Sequence, residues 1–430
     1  MTPSARIKAS LDLLEKIGAS KIPMDGTIGD YMRHRRYIGS KDRADIVERT
    51  YHIVRAHARL GWWLEHLGAL DTSRARMIVW LSAGEGKDPQ RLFDGGKYGP
   101  AELNEDEQKL ASLLKGRTLE HPDMSPAVRV ECPPDYEAAL RERFGGEFET
   151  GMQAMLKSAP LDLRVNTKVV TREEARDSLK KDRVETGPTP YSVTGLRAKD
   201  KVYLSKTKAF VKGWVEIQDE GSQLVAQICD AQPGMQVLDY CAGGGGKTLA
   251  LAAAMKNKGR IVAMDLEKSR LEKARPRFKR AGVADIIEVR PLADEKSRKW
   301  LKRQKGTFDT VLVDAPCTGT GTWRRNPDTR WRVYGPGLDE LLTVQAEILD
   351  KVAKTVKPGG KLVYATCSLL PAENERQVEG FLQRHPGFAP GALPSGLPGE
   401  GCYLRLAPHR HNTDGFFAAI LVKTGQVKEE

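Results

Sequence analysis

Two cysteines fall where an open α/β sheet would do chemistry. Cys317 follows the strand-like run "TVLVDAP" and Cys367 closes the run "KLVYAT", so both sit just past the carboxyl ends of predicted strands, the rim at which such sheets bind ligands. Asp314 stands three residues before Cys317, and Cys241, after "VLDY", shares the same rim. A thiolate at such a site can add to an electron-poor ring. Carbon 5 of a cytosine is a poor nucleophile until a nucleophile adds at carbon 6; it then becomes enamine-like, can take a methyl from a sulfonium, and must lose its proton before the enzyme thiol leaves. An ordinary thiol is only a few per cent ionised at neutral pH, so the attacking cysteine needs a positive neighbour, for which Lys247, Arg324 and Arg325 are the candidates. Asp314 is placed to hold the cytosine amino group and, by sharing a proton with ring nitrogen 3, to stabilise the charge of attack. A metal held by the three thiols is the competing reading. Zinc draws on closely spaced ligand pairs, which this chain lacks, and no metal is expected.

The methyl donor would lie on "CAGGGGKT" (241–248). A phosphate-binding Walker loop needs glycine five positions before its Gly-Lys-Thr, where this chain has Cys241, and the dinucleotide pattern GxGxxG fails at Thr248. What remains is a turn of bare backbone, Gly243 to Gly246, with Asp265 twenty residues beyond Gly245 at the end of the next strand, suited to both hydroxyls of a ribose. A nucleoside without a long phosphate chain fits, and S-adenosyl-L-methionine has that shape; NAD stays open, as does a plain helix-capping role for Asp265.

Positioning these residues requires a doubly wound, mainly parallel sheet of the Rossmann-like methyltransferase kind. Strands are predicted at "MQVLDY", "RIVAMD", "IIEVR", "DTVLVDA", "KLVYATC" and "FFAAILVK", with helices over 247–255, 268–280 and 338–355 between them. This domain spans 215–430. Ahead of it, residues 131–214 read as a small α+β module, with "LDLRVNT", "YSVTGL" and "KVYL" strand-like and "TREEARDSLKK" a helix capped by Thr171. Residues 1–130 carry helical periodicity and form a helical domain, with a Gly-rich loop at 82–100.

The composition is that of a soluble, multi-domain protein. Of its 430 residues 40% are hydrophobic, with no apolar run of membrane-spanning length, no apolar leader in "MTPSARIKAS" and no disulfide-like spacing among the six cysteines, so a cytoplasmic protein with free thiols, read as a monomer, is expected. The net charge of +12 is concentrated in "RHRR" (33–36), "KARPRFKR" (273–280) and "KSRKWLKRQK" (296–305), which suits a polyanion partner.

Four motifs make the reading specific. "DAPCTGTGTWRRNPDTRW" (314–331), "YATCSLLPAENERQVEGFL" (364–382), "VLDYCAGGGGKT" (237–248) and "IQDEGSQ" (217–223) resemble those of the RNA cytosine-C5 methyltransferases of the Sun/Nop family, bacterial RsmB-like branch. The resemblance runs from about residue 161 to the C-terminus, and in helical texture and basic patches the N-terminal region resembles the NusB-like RNA-binding domain of that branch. It implies that Cys367 is the attacking nucleophile, that Cys317 assists elimination and release, and that Cys241, Ala242, Gly243, Gly244, Gly245, Gly246, Lys247, Asp265, Asp294 and Asp314 fall at the S-adenosyl-L-methionine positions. By spacing, Glu295 could stand in for Asp294. Where the family often has Cys-Ala-Ala-Pro-Gly-Gly-Lys, this chain has Gly243 and Gly244, which keeps the backbone donors.

A base in a duplex cannot present carbon 6 to a thiol, so the expected partner is a folded RNA with accessible loops, ribosomal RNA of the small subunit first and transfer RNA second. "TWRRNPDTRW" (322–331) interleaves tryptophan and arginine as a base-stacking, phosphate-pairing loop would, against the plainer reading of a core loop with incidental charge. A non-catalytic RNA-binding assembly factor and a P-loop enzyme are the competing functions; the thiol pair argues against the first and Cys241 against the second.

Overall fold

The computed structural model describes residues 1–425, and within it the chain packs as two compact units: Met1–Lys157 with Thr322–Gly335, and Ser158–Gly321 with Pro336 onward.

The second unit begins with a small antiparallel sheet of β1 (Asp162–Val165), β2 (Thr186–Pro188), β3 (Gly195–Ala198) and β4 (Val215–Ile217), in the order β2-β3-β1-β4. Thr171 caps the helix Arg172–Lys181 as its position predicts, accepting from Glu174 N while the Glu174 side chain accepts from Thr171 N at 2.8 Å. The stretch 201–204, expected as a strand, is not one; Leu204 drops into the small core as a single anchor, without the alternation a strand would show. Buried charge ties this sheet to the helix Glu220–Ile228. Arg197 grips both oxygens of Asp162 (2.7 and 2.9 Å), Asp162 accepts from Glu220 N, and the buried Glu220 carboxylate accepts from Tyr191 N and Ser192 N at 2.6 and 2.8 Å. "IQDEGSQ" is therefore a joint between two sheets, opening that helix with Asp219 as its cap.

The large sheet holds all six strands expected from the apolar runs: β5 (Gln236–Asp239), β6 (Arg260–Asp265), β7 (Ile287–Pro291), β8 (Phe308–Asp314), β9 (Val356–Thr366) and, after three short strands β10 (Phe388–Pro390), β11 (Gly399–Glu400) and β12 (Tyr403–Leu406), the strand β13 (Phe416–Lys423). Their order is β11-β12-β13-β9-β8-β5-β6-β7, with β5 to β9 parallel and β10 to β13 antiparallel to their neighbours. Strands buried on both faces carry no polar alternation, which is why β5, β6, β8 and the latter half of β9 read as near-continuous Val, Ile, Leu and Ala, whereas the edge strand β7 is half-buried and carries Glu288 and Arg290. From β5 the chain winds outward one way through β6 and β7 and the other way through β8 and β9, so the order reverses between β5 and β8. That reversal opens a crevice at the strands' carboxyl ends. The helices Gly246–Ala254, Lys268–Arg280 and Leu338–Ala353 lie within a residue or two of their expected bounds.

The first unit is helical, from Pro3–Ala19 through Phe148–Ala154, so the helical texture continues past residue 130 in Pro134–Phe144 and Phe148–Ala154. Its core gathers Leu60, Trp63, Met77, Leu81 and Phe93. Glu131, fully buried, accepts from Ala58 N and Arg59 N at the start of the helix His57–His66 and pairs with Arg59 Nε at 2.8 Å. The segment 322–335 packs into this unit, which corrects its reading as a base-stacking loop. Trp323 is 1% exposed and Arg324 and Arg330 are each 3% exposed; Arg330 lies over the Trp323 ring and donates to the carbonyls of Glu131 and Met155, while Trp331 stacks on His57. Rings and guanidinium planes stack on one another here, and the side chains of Trp323, Arg324 and Arg330 do not face solvent. Trp323→Ala should therefore cost about 3–5 kcal/mol of stability, read as a lowered denaturant midpoint; a stable variant with weakened RNA binding would restore the surface-loop reading.

Candidate active site

The turn after β5 is shaped by conformations only glycine adopts easily. Gly243 and Gly245 have φ of +55° and +77°, and Gly245 caps the helix Gly246–Ala254. A Cβ at position 243 would lie 2.7 Å from the Arg270 guanidinium, and one at 245 would lie 2.5 Å from the Phe278 ring. Asp265, at the end of β6, fastens the turn: one carboxylate oxygen accepts from Gly243 N at 2.7 Å and the other from Glu267 N at 2.8 Å. It does not cap the helix Lys268–Arg280, whose cap position is Glu267. The carboxylate keeps further lone pairs for a sugar's hydroxyls. Thr248, which spoils the dinucleotide pattern, donates its hydroxyl to Asp239 at 2.7 Å, and this fully buried carboxyl has its other oxygen, Oδ1, without a protein partner; burial raises its pKa to about 7. A bare backbone turn, a carboxylate one strand over and an unpartnered buried acceptor fit S-adenosyl-L-methionine, a nucleoside with no phosphate chain to cradle.

At the end of β7, Asp294 begins the helix Glu295–Lys302 without a side-chain capping bond, whereas Glu295 pairs with Lys299 at 2.7 Å. Asp294 is thus the less engaged of the two acids. Cys241 and Ala242 form the entry to the glycine turn, and the Cys241 thiol is pushed well above its usual range by burial and by the carboxylates of Asp314, Asp265 and Asp239. It is poorly suited to nucleophilic work.

The other two thiols meet. Cys317, after β8, and Cys367, after β9, lie with their sulfurs 3.5 Å apart as free thiols, both partly accessible. Their environments differ. A hydrogen bond to Cys367, then burial, then the charges of Cys367 and Glu373 hold the Cys317 thiol well above its ordinary pKa. Lys247, from the first turn of the helix after the glycines, donates to Asp314 at 2.6 Å. Burial works against its charge but is outweighed by Asp314, Cys367 and Asp239, and its pKa is raised. Of the three cations expected as neighbours of the nucleophile, Lys247 acts on Cys367 inside the second unit, while Arg324 and Arg325 belong to the segment packed in the first.

Residues that the sequence did not single out hold the two thiol loops together. Gly321 N donates to the Cys367 carbonyl at 2.9 Å, Leu369 N to Thr320 Oγ1 at 2.8 Å, and the hydroxyls of Thr318 and Ser368 lie 3.3 Å apart. Beneath them the buried Glu373 carboxylate accepts from Thr318 N (2.9 Å), Thr318 Oγ1 (2.6 Å) and Gln345 Nε2 (3.0 Å). Gln345 also donates to the Pro316 carbonyl at 2.9 Å. Asn374 accepts from Thr366 and donates to the Ser368 carbonyl at 3.0 Å. The signal was present in "PAENE", where an acid and an amide follow closely on an apolar strand and its thiol.

Residues 226–422 match the family model of 16S rRNA methyltransferase RsmB/F, and residues 136–204 match that of an RsmF/B-like ferredoxin-like domain. A probable ribosomal RNA small subunit methyltransferase B of Synechocystis is 36% identical over 305 residues, 67% of this chain and 66% of that protein. A ribosomal RNA small subunit methyltransferase B of Pectobacterium atrosepticum is 31% identical over 408 residues, 91% of this chain and 92% of the relative. The crystal structure of PH0851 superimposes with a TM-score of 0.79 at 27% identity, covering 98% of this chain and 99% of that one.

If Asp265 both fastens the turn and binds the sugar, Asp265→Ala should weaken S-adenosyl-L-methionine binding roughly ten- to a hundredfold by titration calorimetry, the worth of one or two hydrogen bonds to a charged acceptor.

Proposed function

Because the chain belongs to the RsmB/F family of ribosomal RNA methyltransferases, with S-adenosyl-L-methionine as its cofactor, we propose that it methylates carbon 5 of a cytosine in small-subunit ribosomal RNA through a covalent Cys367 adduct. The observation that carries this reading is the pair of sulfurs 3.5 Å apart at the ends of adjacent parallel strands, near enough for one pyrimidine ring to touch both.

The turn from Cys241 to Lys247, with Asp265, Asp294 and Asp314, would hold the cofactor. When bound, it supplies an electrophilic methyl group. Everything else falls to the chain's own side chains. With the Cys317 thiol held above its ordinary range and the Lys247 ammonium acting on Cys367, Cys367 is the sulfur equipped to attack carbon 6 as a thiolate. Asp314, held by Lys247, accepts from the cytosine amino group and steadies the proton that ring nitrogen 3 takes up from solvent as charge builds there and returns on release.

Formation of the carbon–sulfur bond also changes Cys317. Its raised pKa owes most to the hydrogen bond with Cys367 and part to that sulfur's charge, and both are lost once Cys367 is a thioether. Cys317 can then release its proton to solvent and serve as the base. It takes the proton from methylated carbon 5; the carbon–hydrogen pair restores the ring double bond, the bond from carbon 6 to sulfur breaks, and Cys367 leaves as a thiolate. The cycle ends with Cys317 protonated and Cys367 a thiolate, as at the moment of attack, and with one proton released per methyl transferred.

Purified protein should transfer labelled methyl to unmodified small-subunit ribosomal RNA, and bisulfite sequencing should map the product to a cytosine. Cys367→Ala should abolish transfer, by about 10³-fold or more for a lost nucleophile. Cys317→Ala should leave a denaturation-resistant protein–RNA adduct. Activity that persists without Cys367, or methylation of transfer RNA alone, would overturn the assignment.

A further inference from the structure

We infer that Glu373 is a positioning residue for the release step: through Thr318 and Gln345 it fixes the backbone on both sides of Cys317, and so sets where that sulfur stands against the Cys367 adduct. The inference rests on Cys317 acting as the base in release and extends that role to a residue outside the thiol motifs.

Glu373 is 0% exposed, and a carboxylate removed from water must be satisfied by hydrogen bonds or a counter-charge. Here hydrogen bonds do it. One oxygen takes Thr318 N and Gln345 Nε2, and the other takes Thr318 Oγ1. Each of these donors leads back to Cys317. Thr318 is its C-terminal neighbour, bound by main chain and side chain, and Gln345 holds the carbonyl of Pro316, its N-terminal neighbour, at 2.9 Å. The acid is itself anchored to the other thiol's strand: its carbonyl accepts from the buried Tyr364 hydroxyl at 2.6 Å, three residues before Cys367. Glu373 therefore links β9, which carries the nucleophile, to the loop after β8, which carries its partner.

The release geometry is demanding, because one sulfur is bonded to carbon 6 while the other must reach the proton on carbon 5 of the same ring. A displacement of about 1 Å at such a site can cost about a hundredfold in rate. Attack by Cys367 depends less on this link, since Cys367 is carried by β9 and ordered by Gly321 N at its carbonyl. Losing Glu373 should then slow release more than methyl transfer.

The test uses the full chain, unmodified small-subunit ribosomal RNA and labelled S-adenosyl-L-methionine, and compares Glu373→Ala with Cys317→Ala and Cys367→Ala. For Glu373→Ala, multiple-turnover methylation is expected to fall about ten- to a hundredfold while methyl incorporation in a single turnover falls much less, and a denaturation-resistant adduct should accumulate as in Cys317→Ala. Thr318→Val, which removes one of the three donors and keeps the carboxylate, should show the same split to a smaller degree; it serves if Glu373→Ala does not fold. In Glu373→Gln the negative charge facing Cys317 is gone, which lowers that thiol's pKa, so the pH at which release rises should move downward. Equal losses in single and multiple turnover with no adduct, in Glu373→Ala or in Thr318→Val, would overturn the inference. If Cys317→Ala itself traps no adduct, the fault lies in the role given to Cys317, a result distinct from failure of the Glu373 link.

Discussion

The structure turns on one close contact, two sulfur atoms 3.5 Å apart, near enough to be joined by a hydrogen bond. Two thiolates at that distance would repel each other strongly in a partly desolvated site, so the pair carries one negative charge at most. That constraint makes the two cysteines unlike although their residue type is the same. The asymmetry lies in their settings: the hydrogen bond to Cys367, burial and the Glu373 carboxylate raise the pKa of Cys317, while the Lys247 ammonium acts on Cys367. A charge ladder runs through the crevice, from Cys367 to Lys247 to Asp314, with Asp239 behind.

Holding such a contact requires backbone of little freedom. The loops after β8 and β9 achieve this by bonding to each other through Gly321, Thr320, Thr318, Ser368 and Glu373, while Asn374 braces the second loop against Thr366 and Ser368. Gly321 is required at its place, since a Cβ there would fall 2.1 Å from the Gly415 carbonyl at the approach to β13. The glycine-turn side of the crevice follows the same plan. Asp265 reaches from β6 to hold the turn after β5, and Arg277 joins the Gly244 carbonyl to Glu216 of the smaller sheet.

Much of this was legible in the residues. Strands β5, β6 and β8 and the latter half of β9 are largely buried on both faces, so their apolar runs stand out, and the rule that ligands sit at carboxyl ends then puts Cys317, Cys367, Cys241 and Asp265 on one rim. The short strands β2, β10 and β11 were not legible, being two or three residues long and largely uncovered, which leaves no period to detect. For Glu373 the residues carried only a partial mark, an acid and an amide close behind an apolar strand and its thiol; the hydrogen bonds that give it a role are not encoded in spacing. Trp323 and Arg330 misled for a related reason: tryptophan interleaved with arginine stacks equally well on bases or on itself, and composition does not say which side of a surface it lies on.

The most direct measurement of the account's central claim is to identify the sulfur that bonds to the base. RNA carrying 5-fluorocytidine cannot lose a proton from carbon 5, so a wild-type enzyme supplied with it and with S-adenosyl-L-methionine should stall with the ring attached. Mass spectrometry of the digested complex should then find a methylated, fluorinated cytidine on the peptide containing Cys367. Attachment at Cys317 or Cys241 instead, or methyl transfer with no covalent species, would contradict it.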